Sequence, residues 1–242
     1  MKTIGIIPAR WGSSRLPGKP LADLCGKPVI RHVYEQCLKA RSLARVIVAT
    51  DDERILNAVA AFGGEAVMTA PDHPNGTSRV AEVAARVECD YVINIQGDEP
   101  MLDPRVIDQL ADVLVHAGEP MATLSVPFAS AAEAADPNNV KVVVDQKGRA
   151  LYFSRSVIPF ARCGTPVVSK HIGIYGYRKD FLPVYLRLAE TPLAEAESLE
   201  QLRALEHGYD IAVAVSAYPG RGVGINTPHD LELARKLMSE KS

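Results

Sequence analysis

The first apolar positions of the chain form an unbroken run at 4–7. Behind Pro28, Val29, Ile30, Val33, Tyr34, Cys37 and Leu38 recur at helical spacing. A continuous run predicts a strand buried on both faces, whereas recurrence every three or four residues predicts one apolar side of a helix. The alternation continues with a strand at 45–50 (RVIVAT) and a helix that turns Ile55, Val59 and Phe62 inward before Gly63 and Gly64 stop it. A short strand at 65–68 (EAVM) follows, then a polar loop, a helix from Thr77 with Val80, Val83, Ala84 and Val87 inward, and a strand at 91–95 (YVINI). Strands and helices taking turns predict an α/β fold, a three-layer sandwich around a mainly parallel sheet.

The pattern changes after the apolar stretch at 121–126. Residues 141–154 read as two strands about a Lys147-Gly148 turn and 171–178 as another, so 127–177 is predicted to be an antiparallel segment attached to the main sheet. Helices are predicted again at 180–190 and 197–208, the second with Leu199, Leu202 and Leu205 inward and Gly208 as its stop. A strand at 210–215 precedes a closing helix with Thr227 as N-cap, Pro228 at its first position and Asp230 three residues after the cap. No repeat, low-complexity tract or linker interrupts the chain, which reads as one domain, 1–242.

Composition narrows the partners. With 47% hydrophobic and 23% charged residues and a net charge of −2, the chain suits a globular protein and argues against a broad nucleic-acid or membrane surface, so any anion site must be local. Cys25, Cys37, Cys89 and Cys163 lie far apart with no CxxC pair, and read as buried, reduced thiols in a cytoplasmic protein. No run approaches the roughly 18 apolar residues of a membrane span.

Candidate chemistry begins at the end of the first strand, where Arg10, Arg15 and Lys19 stand among glycine, serine and proline. Loops at the carboxyl ends of parallel strands converge on ligands, and three cations there suit several phosphates, although each alone reads as an exposed basic turn. A Walker loop is excluded because Pro20 follows Lys19, and the dinucleotide fingerprint G-x-G-x-x-G is absent. A metal would therefore be held elsewhere. Asp98, after the strand at 91–95, is the candidate, with a turn or capping role as the plain alternative.

The segments PARWGSSRLPGKPL, INIQGDEP, ALYFSR, KHIGIYGYR and LEQLRALEHG resemble, in order, those of the 3-deoxy-manno-octulosonate (Kdo) cytidylyltransferases of Gram-negative bacteria. The resemblance runs from residue 2 to about residue 238. It implies CMP transfer from CTP to the anomeric hydroxyl of an acidic eight-carbon sugar, releasing pyrophosphate, with Mg2+ as cofactor and a homodimer as the assembly. Carried over by motif, Arg10, Lys19 and Asp98 are the catalytic residues. Arg10, Ser14, Arg15, Lys19, Asn75, Gly76, Arg79 and Gln96 surround the nucleotide, and Arg155, His171, Tyr177, Glu200 and Gln201 surround the sugar. Read without the resemblance, these five sugar residues are a surface strand arginine, a strand-end histidine, a core tyrosine and the solvent face of a helix.

The resemblance implies Asp98 and the residue at 226 as magnesium ligands. There the family usually has aspartate before Thr-Pro, and this chain has Asn226. Three readings stay open: Asn226 coordinates more weakly, Asp230 compensates one helical turn on, or catalysis is impaired and the chain is a CTP-binding protein without turnover. The first is favoured. Another acidic ulosonic sugar remains an alternative substrate. Asn75 and Ser78 also depart from the serine and acidic residues more usual at their positions.

Overall fold

The computed structural model describes residues 1–12, 15–164, 168–218 and 223–240. The chain divides into two compact units, 1–108 with 220–242, and 109–219. In the first, β1 (Thr3–Ala9) is followed by the small antiparallel pair β2 (Asp23–Leu24) and β3 (Lys27–Pro28), then α1 (Val29–Cys37) and β4 (Leu43–Thr50). Next come α2 (Glu53–Ala61), β5 (Ala66–Met68), α3 (Gly76–Ala85) and β6 (Tyr91–Asn94), while α4 (Pro104–Ala117) begins in this unit and its residues from 109 on belong to the second. β1 lies between β6 and β4, with β5 outside β4, all parallel. Ile4, Ile6 and Ile7, together with Val46 to Ala49, are almost wholly buried. Successive strand residues point to opposite faces, so this burial means that both faces of the sheet are covered.

The second unit contains β7 (Met121–Pro127), α5 (Ala131–Ala135), β8 (Lys141–Val144), β9 (Ala150–Ser154) and β10 (Ser169–Arg178). It continues through α6 (Leu182–Arg187), α7 (Pro192–Glu197), α8 (Leu202–Glu206) and β11 (Ile211–Val215). β11 runs parallel to β7, whereas β10 pairs antiparallel with β7 and β8, and β8 with β9. The β8–β9 turn is built by Asp145, whose Oδ1 accepts from the backbone N–H groups of Lys147 and Arg149, while Gly148 takes a left-handed φ of 77°. The chain then returns to the first unit for α9 (Pro228–Ser239), where Thr227 and Asp230 form a reciprocal capping box.

The structure adds or alters three features of the pattern. α4 occupies a stretch for which the sequence reading names no element, with Val106, Ile107, Leu110, Ala111 and Leu114 buried at helical spacing. The helix expected at 197–208 is shortened to α8, and α7, which no expectation named, ends before it at Ser198 with a left-handed φ of 51°. Burial of all four cysteines does not hold: Cys37 is buried, with burial pushing its thiol up to about 12, Cys89 is half-buried, and Cys25 and Cys163 are exposed.

Candidate functional site

The loop after β1 is shaped by contacts to Trp11. Gly18, at φ 68°, donates its N–H to the Trp11 carbonyl at 3.2 Å, and a Cβ there would sit 2.9 Å from the indole ring. The Arg54 guanidinium stacks 3.4 Å above the same indole while forming a two-point ion pair with Asp52. This turn directs Lys19 into an open cleft of about 380 Å³, which Arg10 and Arg15 also line. Pro8, Ala9, residues 73–76, Arg79, Gln96, Gly97, Asp98 and Asn226 also line it. All these residues belong to the first unit. Ser14 lies outside the described residues.

Close backbone approach places Asp98. A Cβ on Gly97 would stand 2.8 Å from the Pro8 carbonyl oxygen, so only glycine allows the loop after β6 to rest on the end of β1. Asp98 Oδ2 then accepts from Lys19 Nζ at 2.7 Å, and Asn226 Oδ1 lies 3.4 Å from the same ammonium. The Ile225 N–H donates to the Asp98 carbonyl at 2.8 Å, pinning the two segments together. Two side-chain oxygens thus converge on one cation. Oxygen donors around positive charge are the chemistry a magnesium ion takes, so the residues fit that ion, with the Lys19 ammonium holding the positive charge here.

Asp230, the residue that could compensate for Asn226, has one carboxylate oxygen engaged in the α9 cap. Its Oδ2 accepts from the Asn226 and Thr227 N–H groups at 3.0 and 2.8 Å. Burial opposes ionisation, but these hydrogen bonds prevail and hold the carboxyl below its ordinary value.

In the same cleft, Asn75 caps α3 by accepting from the Ser78 N–H at 2.9 Å, and Asn75 and Gly76 at this helix N-terminus line the cleft. Arg79 is buried in the same helix. It donates to Asp51 at 2.8 Å, to the Ala70 carbonyl at 3.3 Å and to the Thr69 hydroxyl. His73, at the rim, meets Glu82 at 2.5 Å, and this hydrogen bond leads the effects that hold the Glu82 carboxyl below its ordinary value.

The five sugar candidates lie in the second unit, and the structure distinguishes among them. His171 is buried on β10, 5.1 Å from the Phe153 ring and 5.2 Å from Tyr175, and burial drives its pKa down to about 3. Thr123 has one hydroxyl proton, which reaches the Ile174 carbonyl at 2.7 Å, so His171 Nε2 carries the proton donated to Thr123 Oγ1 at 2.9 Å. Tyr177 is fully buried, its ring 5.7 Å from Tyr185. Gln201 is also buried rather than on a solvent face, and its Nε2 has no hydrogen-bond partner among the described residues. Glu200 is half-buried at the edge of this group. Arg155 is engaged with the backbone, donating to the carbonyls of Glu197, Pro137 and Ser198 at 2.7, 3.1 and 3.4 Å.

Two cations that the sequence reading did not single out stand near these residues. Arg203 stacks 4.7 Å from the Tyr185 ring and pairs with Glu190, and Lys141 is buried with its ammonium on the carbonyls of Asp136, Asn139 and Arg155. An apolar β-strand flanking Lys141 gives no sign in the sequence of such a use.

A family model described as Cytidylyltransferase matches residues 4–211. A 3-deoxy-manno-octulosonate cytidylyltransferase of Syntrophobacter fumaroxidans is 52% identical, covering 99% of this chain and 98% of its own. One of Escherichia coli is 50% identical over 99% and 97%. Among solved structures, a CMP:2-keto-3-deoxy-manno-octonic acid synthetase complexed with CTP superposes with a TM-score of 0.95 at 49% identity, covering all of both chains.

Proposed function

This chain belongs to the 3-deoxy-manno-octulosonate cytidylyltransferase family, and we propose that it transfers CMP from CTP to the anomeric hydroxyl of Kdo. The products are CMP-Kdo and pyrophosphate, and the activated sugar serves lipopolysaccharide synthesis. The observation that carries this reading is the meeting of Arg10, Arg15 and Lys19 with Asp98 and Asn226 in one cleft. A triphosphate brings about four negative charges, and phosphoryl chemistry needs that charge neutralised and the groups held in line. The three cations and the N-terminus of α3 supply this positioning, while Arg79, fixed by Asp51 and Thr69, holds the wall against the base.

The sugar hydroxyl attacks the α-phosphorus directly. Its oxygen–phosphorus bond forms as the bond to the pyrophosphate oxygen breaks, the hydroxyl proton passes to water, and no enzyme nucleophile intervenes. Asp98 and Asn226 are the magnesium ligands of this scheme; when bound, the ion supplies positive charge at the phosphates and lowers the pKa of the attacking hydroxyl. Sugar recognition belongs to the second unit, where the unpartnered Gln201 amide is a donor awaiting an oxygen and Glu200 is an acceptor. His171, neutral and bonded to Thr123, and Tyr177 hold this surface from beneath. We also propose a homodimer working in the cytoplasm, the first of which sedimentation tests directly.

The deciding experiment measures pyrophosphate release from CTP across a magnesium series with Kdo, with a sialic acid and with no sugar. Release with Kdo alone is expected. Release with the sialic acid instead would move the substrate to another acidic ulosonic sugar. CTP binding with no release under any condition would point to a binding protein without turnover.

A further inference from the structure

We infer that Lys19 is a built-in cation standing in the place of the divalent metal, so that this protein takes up the metal only together with nucleotide. The inference rests on the cytidylyltransferase reading and goes beyond it by fixing the order in which the site accepts its charges.

The Lys19 ammonium lies 2.7 Å from Asp98 Oδ2 and 3.4 Å from Asn226 Oδ1, and thus stands between the two side chains that a metal would use. The Lys19 and Asp98 side chains are only 18% and 23% exposed, so water screens their pairing less than it would on an open surface. The backbones that carry these two side chains are tied together, because the Ile225 N–H donates to the Asp98 carbonyl at 2.8 Å. An ammonium and a divalent ion a few ångströms apart repel strongly, so the same oxygens serve one or the other.

Charge completes the device. Asp98 contributes −1, Lys19 +1 and Asn226 nothing, so the nucleotide-free site offers a divalent ion no net attraction. Asp230 keeps its negative charge while its Oδ2 accepts from the α9 cap, but Arg10 and Arg15 line the same cleft and outweigh it. Among the described residues no group of three or more His, Cys, Asp or Glu side chains forms another place for a metal. An aspartate at 226 would leave one negative charge unmatched even with Lys19 in place, so the asparagine is what makes the exclusion complete. A triphosphate reverses the situation on both counts. It gives the lysine new oxyanions to follow, and it brings the metal additional oxygen ligands with negative charge.

Loss of the free Mn2+ electron paramagnetic resonance signal reads this directly on the full chain, without catalysis. Wild-type protein is expected to bind no Mn2+ in the absence of nucleotide and to bind it when CTP is added, more tightly than CTP alone does. In the Asn226→Asp background, adding Lys19→Met is expected to tighten nucleotide-free Mn2+ binding more than tenfold, whereas Lys19→Arg, which keeps the charge, leaves it unchanged. Equal Mn2+ affinity with and without CTP in the wild type overturns the inference, and needs no variant to fold. Equal affinity of the Asn226→Asp protein and its folded Lys19→Met derivative overturns it as well. A separate CTP titration keeps the two ideas apart: failure of CTP to bind overturns the functional reading, while the nucleotide-free comparison of the two variants still decides this one.

Discussion

Replacing Asn226 by aspartate would put a second carboxylate beside Asp98 with no change in size, which isolates charge from shape. The Asn226→Asp enzyme is expected to reach half its maximal rate at a lower magnesium concentration, measured by pyrophosphate release at fixed CTP and Kdo. An unchanged magnesium dependence would reject Asn226 as a ligand position. His171 makes a different prediction, because its pKa of about 3 is far below the roughly 6.5 of an unfolded histidine. Between those values the unfolded chain holds a proton that the folded chain does not, so this group makes stability rise with pH there and has no effect above. His171→Phe should therefore flatten the loss of urea midpoint between about pH 4 and 6. An unaltered acid slope would mean that His171 is not the group responsible. Residue types were legible in the sequence here, but their partners were not. Nothing in the string ALYFSR tells that the Arg155 guanidinium serves three carbonyls, nor that Gln201, one residue from a half-buried Glu200, is buried.

At the level of elements, the site depends on how closely the end of β1 and the loop after β6 can pack. Gly97→Ala would drive a methyl group to 2.8 Å from the Pro8 carbonyl, a backbone atom that cannot turn aside. The expected cost is about 1–3 kcal/mol in urea unfolding. A fall of about tenfold or more in kcat/KM should accompany it, since Asp98 moves with the loop. Full activity in this variant would show that the spacing is not critical. Lys141→Met tests the second unit in the same way: three carbonyls lose their buried donor, for a loss of about 1–3 kcal/mol. The strands of the first unit were readable because burial on both faces writes itself as a continuous apolar run. α4 was equally legible, since Val106, Ile107, Leu110 and Leu114 are buried at helical spacing. The break between α7 and α8 was hidden, because serine at a left-handed φ replaces the glycine that normally signals such an end.

For the molecule as a whole, a net charge of −2 conceals a local positive site, assembled in the first unit from segments as far apart in sequence as Lys19 and Asn226. The loop motif was legible in the sequence, whereas the direct contact between Lys19 and the two metal-ligand candidates needed the fold, since the chain builds a whole second unit before α9 returns. Such a site should bind nucleotide only in the folded state, so binding raises stability by mass action. At a CTP concentration about 100 times its dissociation constant the gain is about 2.7 kcal/mol, or roughly 5–10 °C in Tm for a chain of this size. Raising ionic strength from low salt should reduce the gain, because Arg10 and Arg15 are exposed and their attraction is screened over about 8 Å at physiological salt. Magnesium alone should leave the Tm unmoved, because Lys19 already neutralises Asp98, and magnesium added after CTP should raise it further. A shift produced by magnesium alone, and lost in Asp98→Asn, would show instead that the metal reaches its ligands without the nucleotide to draw the lysine away.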